Sequence, residues 1–508
     1  MPGDAQGEQP RLRAFSFALW DSWSTLSSDF LLLFDFFHPE GGAMFQNVSG
    51  LIAHNPPGLY YGVAVAALDG ARLCFAVAGF GYPNRILTWS GEALRDVASP
   101  ELMDEGRQAI AMAAGDLDGD GREELYVLNT DTFAGAKRFA DRLFKRQPDG
   151  HWEDLFARPE NAGVRNFAAG RSVAVIDRRG VGRYGFFVAN YGRPMRLYEL
   201  GPGGTIADLA SPLALARTAG GRGVLALPVF SSFPDLFCVN EHSPNFAFRN
   251  RGDGTFEELA EELRLTDCEE HARGVTAVDV AGEFALVWGN WDGPHRLMTR
   301  RNAGNSDGTF HDRATPGFAF PSAVRTVIAA DFDNDGNDEI FFNNHGEPNR
   351  LFRVLANGGC ESSEVSIAML DVGEALDADG YGTGAASCDI DGDGILELLV
   401  SRGEKSPQPL TVFKARAPYP NWLRVRPLTR FGAPARGAVV RAEYGGRVRV
   451  KGICGGSGYL CQMEPVAHFG LGESQTVDRV TVTWPDGTSV VLLNPGGNCT
   501  MTVPYPRG

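Results

Sequence analysis

Short apolar strands, each opened by a glycine or another small residue, recur along the chain: "YGVAVAAL" from 61, "AIAMAAGDLD" from 109, "GRSVAVID" from 170, "GRGVLALP" from 221, "ARGVTAVD" from 272, "VRTVIAADFD" from 324 and "GTGAASCDID" from 382. These seven copies are spaced by about fifty to sixty residues, and self-similarity at such a period marks a repeat architecture. A second apolar strand follows roughly ten residues on ("ELYVLN", "GFFVAN", "ALVWGN", "EIFFNN", "ELLVSR"). A third follows that ("YPNRILTW", "ADRLFKR", "RPMRLYEL", "GPHRLMTR", "EPNRLFRV", "QPLTVFKA"), and a turn with an edge strand closes the unit, clearest in "GDGTFEELA" at 252 and "SDGTFHDRA" at 306. Four strands per period over seven periods predict an all-β protein built on a seven-bladed β-propeller.

The seventh copy has no fourth strand of its own, whereas "AMFQNVSGL" at 43–51 is an orphan strand, so the N-terminal strand is expected to complete the last blade and remove an exposed edge. After Pro420 the period stops. Residues 421–505 alternate apolar and polar positions ("NWLRVRPL", "GAVVRAEY", "RVRVKGI", "VDRVTVTW", "TSVVLL") around turns such as Pro485-Asp486-Gly487 and predict a small, separate β-rich C-terminal domain. The expected division is an irregular leader or disordered segment at 1–42, the propeller at 43–420 and the second domain at 421–505.

Composition agrees with many short strands and tight turns, with 63 glycines and 30 prolines in 508 residues. The net charge of −16 and the lack of a basic cluster argue against nucleic acid as a partner. No apolar run approaches the roughly 20 residues that span a bilayer. The first forty residues interrupt their apolar stretches with Asp21, Asp29 and Asp35 and make an irregular leader. Two sequons, at Asn47 and Asn498, make glycans possible there and fit secretion. The 8 cysteines are too sparse for a disulfide scaffold; Cys454 and Cys461 flank a glycine turn and could pair or stand as isolated thiols.

Three inter-strand loops concentrate carboxylates. Loop positions 1, 3, 5 and 9 carry Asp116, Asp118, Asp120 and Glu124; Asp331, Asp333, Asp335 and Glu339; and Asp389, Asp391, Asp393 and Glu397, each with a glycine after position 5. Alternate side chains of a tightly wound loop point to one centre. Ca²⁺ takes about six to eight oxygens in a flexible shell, whereas Mg²⁺ prefers to keep its waters. A backbone carbonyl at position 7, Asn337 in the second loop, can add an oxygen. An EF-hand is excluded because position 12 is Val127, Phe342 or Val400 in a β-patterned run. The expectation is about three structural Ca²⁺ ions. Asp and Gly also serve as plain turn formers, but three copies in register would crowd unneutralised acids. The other four repeats keep few acids, and Arg178 and Arg179 occupy the third, so no metal is expected there.

Weaker signals are given bland readings. Arg251-Gly252-Asp253 lies in a hairpin turn that matches "NSDGTF" elsewhere, and Gly180–Gly185 mimics a dinucleotide fingerprint without a following helix. "GGSGYLC" has Tyr459 where a nucleophile elbow needs glycine, and His468 is read as a packed histidine.

The "DxDGDGxxE" loops followed by strands resemble the FG-GAP or VCBS repeats of integrin α propellers, and the tail "NWLRVRPLTRFGAPARGAVV…GGSGYLCQMEPVAHFGLGESQTVDRVTVTWPDG" resembles an ASPIC/UnbV domain. Together they resemble the cartilage acidic protein 1 family over about residues 43 to 505. That resemblance implies a secreted, calcium-binding, non-enzymatic extracellular glycoprotein that engages an extracellular protein or receptor in matrix and cell-surface contacts and in axon guidance or fasciculation. Relatives keep acids in the first and fifth loops, eroded here, so fewer ions are implied. The alternative is a carbohydrate-binding module or a propeller enzyme, since propellers host both.

Overall fold

Seven strands with the sequence of the recurring motif lie side by side in a closed circle: Tyr60–Ala66, Ala109–Gly115, Gly170–Ile176, Thr218–Leu227, Ala272–Val280, Val324–Ala330 and Gly382–Cys388. Each packs against the next, and the last packs against the first. This computed structural model describes residues 42–506 apart from 71, 301–307, 358–363 and 417. The leader expected at 1–42 lies almost wholly outside the described residues.

From each inner strand the chain runs outward through an antiparallel four-stranded sheet; the third and fourth sheets are joined into one of eight strands through Gly185–Pro194 and Thr218–Leu227. The result is an all-β propeller. Phe45–Asn47 pairs antiparallel with Thr411–Ala415, so the first strand completes the sheet of the last repeat as expected. Inner strands are rich in Ala, Val and Gly because the sheets converge on the axis, where little volume is left; Ala64, Ala113, Ala174, Ala226 and Ala386 are fully or nearly fully buried. Near its start every inner strand carries a β-bulge, between Tyr60 and Val63, Ala109 and Ala111, Gly170 and Ser172, Gly221 and Val224, Ala272 and Val275, Val324 and Thr326, and Gly382 and Ala385. A bulge takes its extra residue out of the ladder and re-aims its side chain.

The C-terminal strands form a four-stranded antiparallel sheet (Arg447–Gly452, Val439–Tyr444, Arg479–Thr483, Ser489–Leu493 in spatial order) and a three-stranded one (Ala467–Gly472, Asn421–Pro427, Cys499–Val503), the last pair parallel. They share a core of Leu423, Val440, Phe469, Val482 and Trp484. Between these strands, residues 454–463 leave the sheets and fill the propeller's axis as a plug. Gly455 donates to Ala226 and accepts from Val175 at 2.9 Å, Gly458 exchanges both backbone hydrogen bonds with Val275, and Gln462 does the same with Val63 and Val65. The Gln462 side chain accepts the Ala114 N–H (2.9 Å) and donates to the Ala114 carbonyl (3.1 Å). Tyr459 N–H donates to Thr326 Oγ1, Leu460 N–H to Ser172 Oγ, and Cys461 lies against Gly384. All seven inner strands therefore touch this one segment. Its backbone is satisfied by strands of the ring together with one internal bond, from the Ser457 N–H to the Cys461 carbonyl (3.2 Å), as buried peptide groups require.

Candidate metal centres at the C-terminal face of the propeller

The acid loops join each inner strand to its neighbour, and their turns are built by the position 1 carboxylate. Asp116 Oδ1 accepts the N–H groups of Gly119 (2.7 Å) and Asp120 (3.2 Å), while Oδ2 accepts Gly121 N–H (3.0 Å). Asp389 does the same with Gly392 (2.8 Å) and Gly394 (3.0 Å). Gly394 has φ +85°, and a Cβ there would lie 1.9 Å from the Trp422 ring, so both conformation and space demand glycine. At position 9 one carboxylate oxygen is pinned: Glu124 Oε2 accepts Leu117 N–H (2.7 Å), Glu339 Oε2 accepts Phe332 N–H (3.0 Å) and Glu397 Oε2 accepts Ile390 N–H (2.9 Å).

In each loop positions 1, 3 and 9 converge. Asp116, Asp118 and Glu124 present oxygens within 4.8 Å of one another, as do Asp331, Asp333 and Glu339, and Asp389, Asp391 and Glu397. Position 5 stands outside each group: Asp120, Asp335 and Asp393 cap the turn, accepting the N–H groups of Arg122, Asn337 and Ile395. The Asn337 side chain is engaged by Arg449 and Asp335, which leaves its backbone carbonyl for the role that the spacing assigns it. Burial pushes the Asp116 carboxyl up to about 6, those of Glu124 and Glu397 up to about 8, and that of Asp331 up to about 7. Asp331 Oδ1 is buried without a hydrogen-bond partner among the described residues. A hard cation would supply the missing partner, and the all-oxygen donor set suits Ca²⁺.

A basic residue on the third strand of the same sheet also enters each cluster, which sequence reasoning missed. Lys145 Nζ lies 2.6 Å from Asp118, 2.7 Å from Asp120 and 3.0 Å from Glu124. Lys414 bonds Asp391 (2.8 Å) and Asp393 (2.9 Å) and pairs with Glu397, and Arg353 bonds Asp333 (2.5 Å) and Glu339 (2.8 Å). The third repeat reverses the charges: Arg178 from the loop meets Glu199 at the matching strand position, 2.5 Å away. Its loop keeps Asp177 at position 1, which accepts the N–H groups of Val181 (3.0 Å) and Gly182 (2.6 Å), so that aspartate builds the turn without an acid cluster around it. A fourth group with metal-ligand chemistry, Glu241 with His242 and His271, has its carboxylate held by Arg222 and Arg273.

The sequence of the C-terminal strands matches a known family. Residues 429–508 match the family ASPIC and UnbV. Over 491 residues the chain is 44% identical to "Cartilage acidic protein 1" of Xenopus tropicalis, covering 89% of this chain and 75% of that one, and 43% identical to the protein of the same name from Homo sapiens, covering 89% and 73%. The chain belongs to the cartilage acidic protein 1 family. Among solved structures it is similar to BBS1N in complex with ARL6DN (TM-score 0.39, 13% identity, 73% of this chain and 96% of that one) and to Saccharomyces cerevisiae Sqt1 (TM-score 0.41, 9% identity, 90% and 100%).

In this member of the cartilage acidic protein 1 family the acid loops form the seat of the ASPIC/UnbV strands. Asp331 Oδ2 accepts Gly470 N–H (2.9 Å), and His468 Nε2 bonds Asn334 Oδ1 (2.7 Å), which gives His468 a packing role. Arg424 contacts Asp389 (3.0 Å) and also Glu464, while Trp422 covers Gly394. Acids at loop position 8, unassigned by the sequence pattern, are anchors: Glu123 holds the buried Arg436 (2.9 Å) and Asp338 pairs with Lys451.

The remaining motifs fall where turns and surfaces require. In the Arg251-Gly252-Asp253 hairpin, Asp253 Oδ1 accepts the N–H (2.8 Å) and hydroxyl (2.6 Å) of Thr255. Asn47 and Asn498 are exposed. Cys454 and Cys461 do not pair: both are buried free thiols, Cys461 donating to the Tyr459 carbonyl and Cys454 to Ser457.

Proposed function

We propose that the chain is a secreted extracellular scaffold whose propeller, seven-bladed and spanning residues 43–420, carries about three Ca²⁺ ions in the loops at Asp116, Asp331 and Asp389, and that these ions lock the ASPIC/UnbV domain, residues 421–505, onto the ring. The observation that carries this reading is the convergence of three carboxylates per loop at the surface on which the C-terminal strands sit. The role is non-enzymatic: a rigid two-part surface, with glycans at Asn47 and Asn498, that engages an extracellular protein or receptor in matrix and cell-surface contacts, including axon guidance or fasciculation. The names of the relatives support an extracellular matrix setting. The ions stiffen the fold and do no chemistry.

A second reading is favoured by Lys145, Arg353 and Lys414, whose charged groups bond the same carboxylates. In that case the loops are internal ion-pair networks that need no metal. Four acids against one base in the first two loops, and against Lys414 and Arg424 in the third, leave each cluster net negative, which supports the first reading. Thermal unfolding separates the two. Ligand at a hundredfold excess over Kd stabilises by about 2.7 kcal/mol per site, so three sites give about 8 kcal/mol. A chelator is expected to lower the melting temperature by about 10 °C, with recovery on adding excess Ca²⁺. A melting curve indifferent to chelator supports the ion-pair reading.

A further inference from the structure

At the end of the axis opposite the acid loops, the plug's tip, Tyr459 and Leu460, forms the floor of a cavity of about 440 Å³. Its walls are set by the bulges that open the inner strands. Of the seven bulge residues, Tyr61, Ile110, Arg171, Arg222, Arg273 and Arg325 line it. Four neighbouring repeats thus place a guanidinium where the others place tyrosine, isoleucine or threonine, so closure of the ring does not itself require arginine.

The four cations are incompletely paired. Glu241 holds Arg222 and, at 2.6 Å, Arg273, while Glu404 lies 2.5 Å from Arg325. The third acid of the lining, Asp131, accepts the Arg138 N–H and faces its guanidinium (3.8 Å), outside the cavity wall. Among the described residues Arg171 donates to the carbonyls of Gly170 (2.9 Å) and Phe133 and to no carboxylate. Among the described residues the Nε groups of Arg222, Arg273 and Arg325 have no acceptor, and Arg222 and Arg273 are only 3% and 5% exposed. Aromatic rings hold the guanidinium planes: Arg325 lies 4.3 Å from the Trp291 ring centre, Arg222 4.8 Å from Tyr191, and Arg171 5.2 Å from Phe133. Phe133 is itself 64% exposed at the rim. Burial alone would raise the Tyr459 phenol, yet Arg222, Arg171, Arg273 and Arg325 outweigh it and bring it below its ordinary value, which reports a positive potential at the cavity floor.

We propose that this cavity binds a small organic anion, a carboxylate or sulfate group carried on a body of monosaccharide size, with the anionic group beside Arg171 among the four guanidinium groups and the body against Phe133 and Trp291. Planar forked donors suit such oxoanions, and a positive pocket on a chain of net charge −16 is a local exception that selects for them.

The test is calorimetric titration of the full chain at low and at physiological salt with glucuronate, glucosamine 6-sulfate, glucose and inorganic sulfate. The acidic sugars are expected to bind at least tenfold more tightly than glucose and more weakly as salt rises. Arg171→Gln removes the cation that holds no carboxylate, so it should weaken binding at least tenfold and leave the melting temperature of the free protein unchanged. Equal affinity for glucose and glucuronate, no saturable binding of either acidic sugar, or unaltered affinity in Arg171→Gln overturns the proposal. Inorganic sulfate binding as tightly as the acidic sugars overturns the organic occupant. Absorbance near 295 nm gives an independent check: a phenolate signal at neutral pH, removed by Tyr459→Phe, would make Tyr459 the arginines' counter-ion and also overturn it.

Discussion

Arg436→Ala is expected to destabilise the protein by about 3–5 kcal/mol, the usual cost of breaking a buried ion pair from one side. Arg436 is 1% exposed and bridges the ring and the C-terminal strands. Its Nε bonds Glu123 (2.9 Å) on the first acid loop, one terminal nitrogen reaches the Val65 carbonyl (2.8 Å) on an inner strand, and the other reaches the carbonyls of Cys454 (3.3 Å) and Met463 (3.2 Å) at the two ends of the plug. Alanine removes every one of these donors at once and leaves Glu123, 2% exposed, as an unpaired buried carboxylate. The double variant Glu123→Gln with Arg436→Met retains volume without charge and should recover at least half of the loss, because a well-filled apolar replacement of a buried pair is often close to neutral. Urea unfolding followed by tryptophan fluorescence measures both midpoints. A single variant within about 0.5 kcal/mol of wild type would mean that the bridge contributes nothing.

The second large effect is at the plug. A Cβ on Gly455 would stand 1.9 Å from the Val175 carbonyl oxygen and 2.9 Å from its carbon, both backbone atoms, so no rotamer relieves the contact. Gly455→Ala must push the segment off the inner strands and weaken its bonds to Ala226 and Val175, a loss of about 3 kcal/mol or more. Gly496→Ala, where nothing lies within 4 Å of the new methyl, is the matched control and should stay within about 0.5 kcal/mol of wild type. Equal midpoints for the two variants would show that the axis is loosely filled.

Ring architecture was legible because it is written in local periodicity: glycine, a short apolar strand and a turn, repeated, with an orphan strand at 43–51 to close the last sheet. The plug was not. "GGSGYLCQ" looks like a free glycine turn, since its partners lie on seven strands far away in sequence, and only the full burial of Gln462 shows that it is held. The carboxylate loops were legible as clusters, whereas two features needed three dimensions. Glu123 and Asp338, extra acids at position 8, had no place in a cation shell and turned out to grip Arg436 and Lys451. The basic residues Lys145, Arg353 and Lys414 share one position of the third strand in the acid-bearing repeats, while the third repeat has Glu199 there opposite Arg178 and the fourth, without the acids, has Arg249 paired with Glu257. That charge reversal was present in the sequence, but it becomes a signal only once the register fixes which strand position faces the loop. The arginine ring escaped notice for the same reason, because its members are about fifty residues apart.

Calcium stoichiometry tests the account most directly. Equilibrium dialysis against about 10 mM Ca²⁺, roughly tenfold or more above the Kd range of extracellular modules, with metal content read by atomic emission, is expected to give about three ions per chain and about two in Asp333→Ala. Wild-type protein with fewer than one ion per chain, or full stoichiometry in Asp333→Ala, would contradict it.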